Sequence, residues 1–196
     1  MDTFTQLPIH MDPQTKAITT THPTPALTTE LTTLNALHKT LLSLDGPNTV
    51  PPPPVPVNPK RTAQINKLHE SGNAAFKKES FADAIKLYGL AINMALQRPL
   101  WEPNGLVKEE VAGLYANRAQ AHMQLRDWVA GAADAQCSVE MKRAGNGKAW
   151  WRRGRCLLEM GRVEEARVWT QQALEQDGEV AELKQLAKEI AERLKK

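Results

Sequence analysis

One spacing constrains this chain more than any other feature. Gly72, Ala119 and Gly154 are each followed, twelve residues on, by a second small residue (Ala84, Gly131, Ala166), and seven further on by a third (Ala91, Ser138, Ala173). A 12-and-7 pattern of small side chains is what two antiparallel helices require where their backbones come close. The first small residue sits on one helix, and the other two share one face of the next. Three in-phase copies predict a stack of helical hairpins, each burying its apolar face by packing on a neighbour.

The periodicity predicts hairpin helices over about 62–78 and 81–97, 107–125 and 127–142, and 146–160 and 162–176. Ser80 and Asp83 read as a capping box, and breaks fall at Leu125-Arg126-Asp127 and at Gly161. A last helix, over about 179–195, carries Val180, Leu183, Leu186, Ile190 and Leu194 on one side and Lys and Glu on the other. Such a helix is expected to cover the open end of the stack.

Composition separates this body from what precedes it. Of 13 prolines, 11 lie in residues 1–60, with 13 threonines, whereas all five tryptophans lie beyond residue 100. The chain carries a net charge of +3, divided as −1 over residues 1–60 and +4 over the remainder. Leu27, Leu31, Leu34, Leu37, Leu41 and Leu44 recur every three or four residues and form one stripe on a helix, opened by Thr24-Pro25 and stopped by Asp45-Gly46. The intervening threonines are poor helix formers, so this helix needs a surface to lie on. The stripe is therefore expected to dock on a partner or on the body. The run Pro51-Pro52-Pro53-Pro54-Val55-Pro56 favours polyproline II. It reads as a semi-rigid spacer or as an SH3 or WW ligand, and the lack of flanking arginines favours the spacer. The expected organisation is a partner-docking segment at 1–46, a proline-rich linker at 47–60 and a helical domain at 61–196.

Several function classes fall away. No run of 18 apolar residues spans a membrane, and Met1 to Asp12 lacks the basic and apolar regions of a signal peptide. Cys137 and Cys156 have no partner at metal-ligand spacing, which points to a reducing, cytosol-facing compartment, and both read as small buried hydrophobes. There is no nucleophile–base pair, phosphate loop or HExxH run, so neither an enzyme nor a cofactor or metal is expected. A body charge of +4 without an RNA-module motif argues against nucleic acid, despite Arg152, Arg153 and Arg155. Trp101, Trp128, Trp150, Trp151 and Trp169 read as core or inter-repeat packing.

The repeat resembles the tetratricopeptide (TPR) repeat, whose pitch is about 34 residues. Trp150, Gly154, Leu157, Ala166 and Ala173 carry the likeness in the third copy; Leu68, Gly72, Ala84, Tyr88 and Ala91 carry it in the first; Ala119 and Gly131 carry it in the second. The first interval, 47 residues, places an insertion around Pro99 to Glu110. The resemblance implies an all-α, right-handed superhelical solenoid of three TPR hairpins and a C-terminal capping helix, preceded by a Thr/Pro-rich extension with one amphipathic helix. It also implies that the first helix of each pair lines a concave groove. His69, Asn73 and Phe76 share the groove face of the first such helix. Asn117 and Gln120 or Ala121 share that of the second, and Lys148, Arg152 and Arg155 that of the third. No Asp or Glu occupies these positions. A wall of donors without acceptors is built to receive anions, most simply carboxylates.

The strings GNAAF (72–76), LYANRAQAH (114–122) and GKAWWRRG (147–154) look like the carboxylate-clamp TPR co-chaperones, which grip the C-terminal Glu-Glu-Val-Asp of seventy- and ninety-kilodalton heat-shock chaperones. The resemblance implies that Asn73, Asn117, Lys148 and Arg152 hold the terminal carboxylates. His69 stands where the family has a lysine, and reads as a weakened ligand or a solvated residue. Phe76 and Met123 are expected beneath the peptide's valine, with Gln120 and Arg155 completing the groove; Arg155, like Arg153, is also readable as a plain surface charge. If His69 is a ligand, binding should strengthen as pH falls through roughly 6.5.

The order of docking segment, proline spacer, three clamp-type repeats and cap is similar to the family of small TPR subunits of the fungal endoplasmic-reticulum Sec complex. That resemblance implies a peripheral protein on the cytosolic face of the membrane, held by a membrane-anchored sister subunit and not inserted itself. A soluble co-chaperone, or a TPR scaffold gripping another partner without a chaperone tail, remains open on these residues.

Overall fold

The computed structural model describes residues 7–42, 59–99 and 102–195. The proline run at 51–56, Leu44, the side chain of Leu41 and Trp101 lie outside the described residues. The chain divides into two compact units, Met1–Pro56 and Val57–Lys196.

In the first unit, a hairpin precedes the leucine-striped helix. Strands β1 (Ile9–Met11) and β2 (Ile18–Thr20) pair antiparallel, with His10 opposite Thr19. Asp12 closes the turn by accepting from the backbone N–H groups of Gln14 and Thr15 at 2.8 and 2.6 Å. This hairpin was not expected from sequence, because three-residue strands are too short to show an alternation. Helix α1 (Pro25–Leu42) follows, capped as expected by Thr24, whose Oγ1 accepts from Leu27 N at 3.2 Å. The hydroxyls of Thr28, Thr29, Thr32 and Thr33 donate to carbonyls four residues back, which satisfies them within the helix without adding to its stability. Asn35 on α1 pairs with both the N–H and the C=O of Ile18, at 2.7 and 2.8 Å, and so ties the helix to β2. Along the stripe, Leu31 is buried, Leu27 and Leu37 are half-buried, and Leu34 is 42% exposed.

The second unit is a run of antiparallel helical hairpins: α2 (Pro59–Lys77) with α3 (Phe81–Leu96), α4 (Asn104–Gln124) with α5 (Trp128–Met141), and α6 (Gly147–Glu159) with α7 (Val163–Gln176), closed by α8 (Ala181–Arg193). Pro59 and Lys60, expected in the linker, are instead the first residues of α2, where proline's missing N–H is tolerated. The three hairpin turns share one geometry. Ser80, Asp127 and Arg162 donate their N–H groups to the carbonyls of Ala75, His122 and Leu157, five residues back. The preceding residues, Glu79, Arg126 and Gly161, adopt positive φ of 62°, 57° and 76°. This is a Schellman ending, and only Gly161 announces it in the sequence. The capping box at Ser80 is not formed as expected: the hydroxyl donates to Asp83 Oδ2 at 2.8 Å and makes no cap to the backbone.

All nine small residues of the 12-and-7 pattern are buried. At Gly72 an added Cβ would stand 2.6 Å from the Tyr88 ring, and at Gly154 2.8 Å from Leu186 Cδ2. Larger side chains at these points would wedge the helices apart. Helix α8 acts as the cap: Leu183 packs with Trp150 and Ala173, while Leu186 and Ile190 pack with Leu157, Leu158 and Ala166. Each fully buried side chain of this size contributes about 1.5–3 kcal/mol.

The insertion between the first two hairpins is absorbed by extending α4 to 21 residues and folding a short link over a buried cation. Arg98, 6% exposed, donates to Glu102 Oε2 at 2.5 Å, to both oxygens of Glu110 at 2.6 and 2.9 Å, and to Thr62 Oγ1 at 3.0 Å. Removing the guanidinium would strand two carboxylates with little water. Arg98→Ala is therefore expected to lower unfolding free energy by about 3–5 kcal/mol, read as a fall in the urea midpoint, with an unchanged midpoint refuting a structural role for the cluster.

Candidate functional site

Helices α2, α4 and α6 bring the groove-face residues together. On α2 and α4, His69, Asn73 and Asn117 form a hydrogen-bonded run: Asn117 Nδ2 donates to His69 Nε2 at 2.8 Å and lies 3.5 Å from Asn73 Oδ1. Tyr88, from α3, donates its hydroxyl to the same Asn73 oxygen at 2.7 Å. With its oxygen so engaged, Asn73 is oriented to offer its NH₂ group, which has no partner among the described residues. The close packing of Tyr88 over Gly72 holds this arrangement, so the small residue and the amide act as one unit.

The third hairpin supplies charge. Arg152, half-buried, donates Nε to Gln120 Oε1 at 2.9 Å and has no carboxylate partner among the described residues. Lys148 is exposed in the first turn of α6, which contains no acidic residue. A cation there adds to the positive end of the helix dipole, which costs the helix stability and favours an anion. Asn117, Lys148 and Arg152 line one cavity of about 490 Å³, and Gln120, Trp151, Lys148 and Arg152 line an adjoining one of about 230 Å³. Both are bordered by Val180 and Glu182, from the start of the capping helix.

Burial tunes these groups. Desolvation lowers the pKa of His69 from the ordinary 6.5, against a smaller opposing pull from Glu70. The bond from Asn117 also favours neutral imidazole, because an amide N–H needs an unprotonated ring nitrogen to receive it. Desolvation likewise lowers Arg152 and raises Tyr88, so the cation is partly stripped of water while remaining charged.

Three expected groove residues are not where the sequence placed them. Met123 is 7% exposed and packs with Ala132 and Cys156 between α4 and the next helices, so it belongs to the core and not to the floor of the groove. Arg155 turns toward α8 and pairs with Glu189 at 2.8 Å and Glu159 at 3.4 Å; its charge is spent on the cap. Phe76 is half-buried edge-on against Phe81, 5.2 Å between centroids, at the turn end of the first hairpin. The inner-face positions carry no Asp or Glu, as read from the sequence, but Asp177 and Glu182 reach the larger cavity from outside those helices. Asp177 is occupied in accepting from the N–H groups of Gly145 and Asn146, both at 2.9 Å. Cys156 is buried, with its thiol pushed up to about 12 by desolvation, whereas Cys137 is half-buried, contrary to the expectation of two buried thiols. Tyr88, Trp151, Val180 and Glu182 escaped the sequence reading because they come from outside the inner helix faces, or from the cap. Only the repeat phase of Tyr88 hinted at its place. The described residues contain no metal-binding cluster and no helix long and apolar enough to cross a membrane.

Comparison with known proteins agrees with this architecture. A family model of the tetratricopeptide repeat matches residues 147–179. A chain of the cryo-EM structure of the Sec complex from S. cerevisiae superposes with a TM-score of 0.72 at 24% identity, covering 95% of this chain and 97% of that one. The second TPR domain of human RPAP3, in complex with the HSP70 peptide SGPTIEEVD, superposes with a TM-score of 0.56 at 21% identity, covering 67% and 98%. The ER protein translocation subcomplex subunit sec67 of Schizosaccharomyces pombe is 37% identical over 136 residues, 68% of this chain and 70% of that protein. At that identity and coverage, with the repeat architecture described above, the chain belongs to the TPR family of the ER translocation subcomplex subunit sec67.

Proposed function

We propose that this chain is a non-enzymatic adaptor whose groove binds the acidic C-terminal tail of a cytosolic seventy-kilodalton heat-shock chaperone and so delivers chaperone-bound precursors to the endoplasmic-reticulum translocation machinery. The observation that carries the reading is that Lys148 and Arg152, neither with a carboxylate partner among the described residues, line one cavity with Asn117, whose amide donates to His69 and lies beside Asn73. A chain ending in Asp offers two carboxylates on one residue. Charge-assisted bonds to them are worth about 1.5–3 kcal/mol each before association costs, so low-micromolar binding, about −8 kcal/mol, is reasonable. Trp151 and Val180 supply the apolar surface that Met123 does not. Kinship with the translocation subunit supports a peripheral place on the cytosolic face of the membrane. On this reading a membrane-anchored sister subunit holds the N-terminal segment 1–46, with the exposed Leu34 part of the docking stripe.

Calorimetric titration of the whole protein with SGPTIEEVD, free and amidated at its terminus, tests the groove. Lys148→Ala and Arg152→Ala are each expected to weaken the free peptide by about tenfold or more with unchanged circular dichroism, and amidation should weaken it comparably. Binding indifferent to the terminal carboxylate would favour a TPR scaffold that grips its partner elsewhere.

The histidine sets a pH dependence that differs from the simple expectation. The folded-state pKa of His69 lies below 6.5, so the stability that neutral His69 contributes is complete above 6.5 and is lost as pH falls through the depressed value. Anion binding has the opposite sign and should strengthen as pH falls and His69 takes up its proton. His69→Lys should bind more tightly at pH 7 and remove the acidic rise; identical pH profiles for the wild type and His69→Lys would take His69 out of the site.

A further inference from the structure

Arg153 follows the groove cation Arg152 directly and repeats its circumstances on another side of α6. It too is half-buried, donates to a glutamine side-chain oxygen (Gln136), and has no carboxylate partner among the described residues. Its Nη1 also donates to the Ala132 carbonyl at 3.2 Å, and its Nε is buried without an acceptor. The guanidinium lies 4.6 Å over the Trp169 ring, which in turn packs on Trp150 at 4.4 Å. By contrast Arg98, Arg118, Arg155, Arg162 and Arg167 all hold carboxylates. A desolvated cation without a counter-ion is costly, and a buried donor without an acceptor asks for a reason.

The surroundings provide one. Between α5 and α7, floored by α6, two adjoining cavities of about 280 and 460 Å³ meet at Trp169 and Gln172. Arg153, Leu157 and Val168 line the smaller, and Val168 is 45% exposed. Of the acidic residues on the rim, Glu165 pairs with Arg162 at 2.6 Å, Glu164 pairs with Arg167 at 2.5 Å and Glu140 accepts from Gln136 Nε2 at 2.7 Å, while Glu175 borders only the larger cavity and not the one that Arg153 lines. The smaller cavity thus combines a partly dehydrated cation, without a carboxylate partner among the described residues, with an aromatic and aliphatic wall. Charge complementarity selects an acidic side chain flanked by an apolar one.

We propose that this outer cleft is a second peptide-docking site, taking an internal Glu or Asp of a partner protein on Arg153 with a neighbouring aliphatic side chain against Trp169 and Val168. The site is independent of the groove, since it reads an internal carboxylate and needs no chain terminus.

Nuclear magnetic resonance of the whole ¹⁵N-labelled protein tests it. The probe is the acetylated, amidated peptide Ser-Gly-Leu-Glu-Leu-Gly-Ser, compared with its Gln counterpart; blocked ends keep it from the groove. The Trp169 indole and Arg153 Nε–H resonances should shift saturably with the Glu peptide, at a Kd of about 1 mM or tighter, and about tenfold more weakly with the Gln peptide. Arg153→Gln should abolish the response and Arg153→Lys retain part of it, while Arg152→Ala leaves it unchanged. Equal responses to the two peptides, no response, or shifts confined to Lys148 and Arg152 would overturn the proposal. So would displacement of the same resonances by a single-stranded oligonucleotide. Should Arg153→Gln fail to fold, the Glu-versus-Gln comparison on the wild-type protein still decides.

Discussion

The structure depends first on how closely its helices approach. Nine small residues, three per hairpin, are buried where neighbouring backbones meet, and at Gly72 and Gly154 the space for even one methyl group is taken by Tyr88 and Leu186. Close packing of this kind leaves little freedom in the angle between helices, because a side chain at the contact would cost overpacking or displacement. The inner faces of α2, α4 and α6 are thereby fixed next to one another. Function inherits that constraint. The ring that fills the space over Gly72 is the same ring whose hydroxyl donates to the Asn73 amide oxygen.

Charge is distributed by a second rule. Most arginines of the repeat unit are neutralised within it: Arg98 in the link, Arg118 by Asp134, Arg155 by the cap. Arg152 and Arg153 are exceptions, each steadied by a glutamine oxygen that orients the guanidinium without cancelling its charge. A neutral acceptor fixes geometry at little electrostatic cost to an incoming anion, whereas a carboxylate would have to be displaced. Dehydration of both cations makes an external carboxylate more attractive than it would be at an exposed lysine. The capping helix brings a negative charge to the same cavities, since Glu182 lines both.

Much of this was legible in the linear order of residues. The period of small side chains dictated hairpins, and helix limits followed within a few residues because apolar periodicity, Gly161 and the prolines all agree. That His69 and Asn73, or Lys148 and Arg152, share one side of a helix could be read because residues four apart do so, and the backbone makes that a local fact. What failed did so at turns and ends. Glu79 and Arg126 take left-handed conformations that their chemistry does not advertise, and the hairpin at 9–20 is too short for a pattern.

Sequence by itself therefore determined the architecture, the pitch and the inner-face donors, since each is set by spacing along one helix. Tertiary structure alone decided where charge ends up. Whether Arg155 serves a ligand or Glu189, whether Met123 floors a groove or fills a core, and whether Arg153 stacks on Trp169 all depend on residues of other helices. Helical spacing states which side of a helix a residue occupies; it cannot state what stands across from it, because that is fixed only when the hairpins stack.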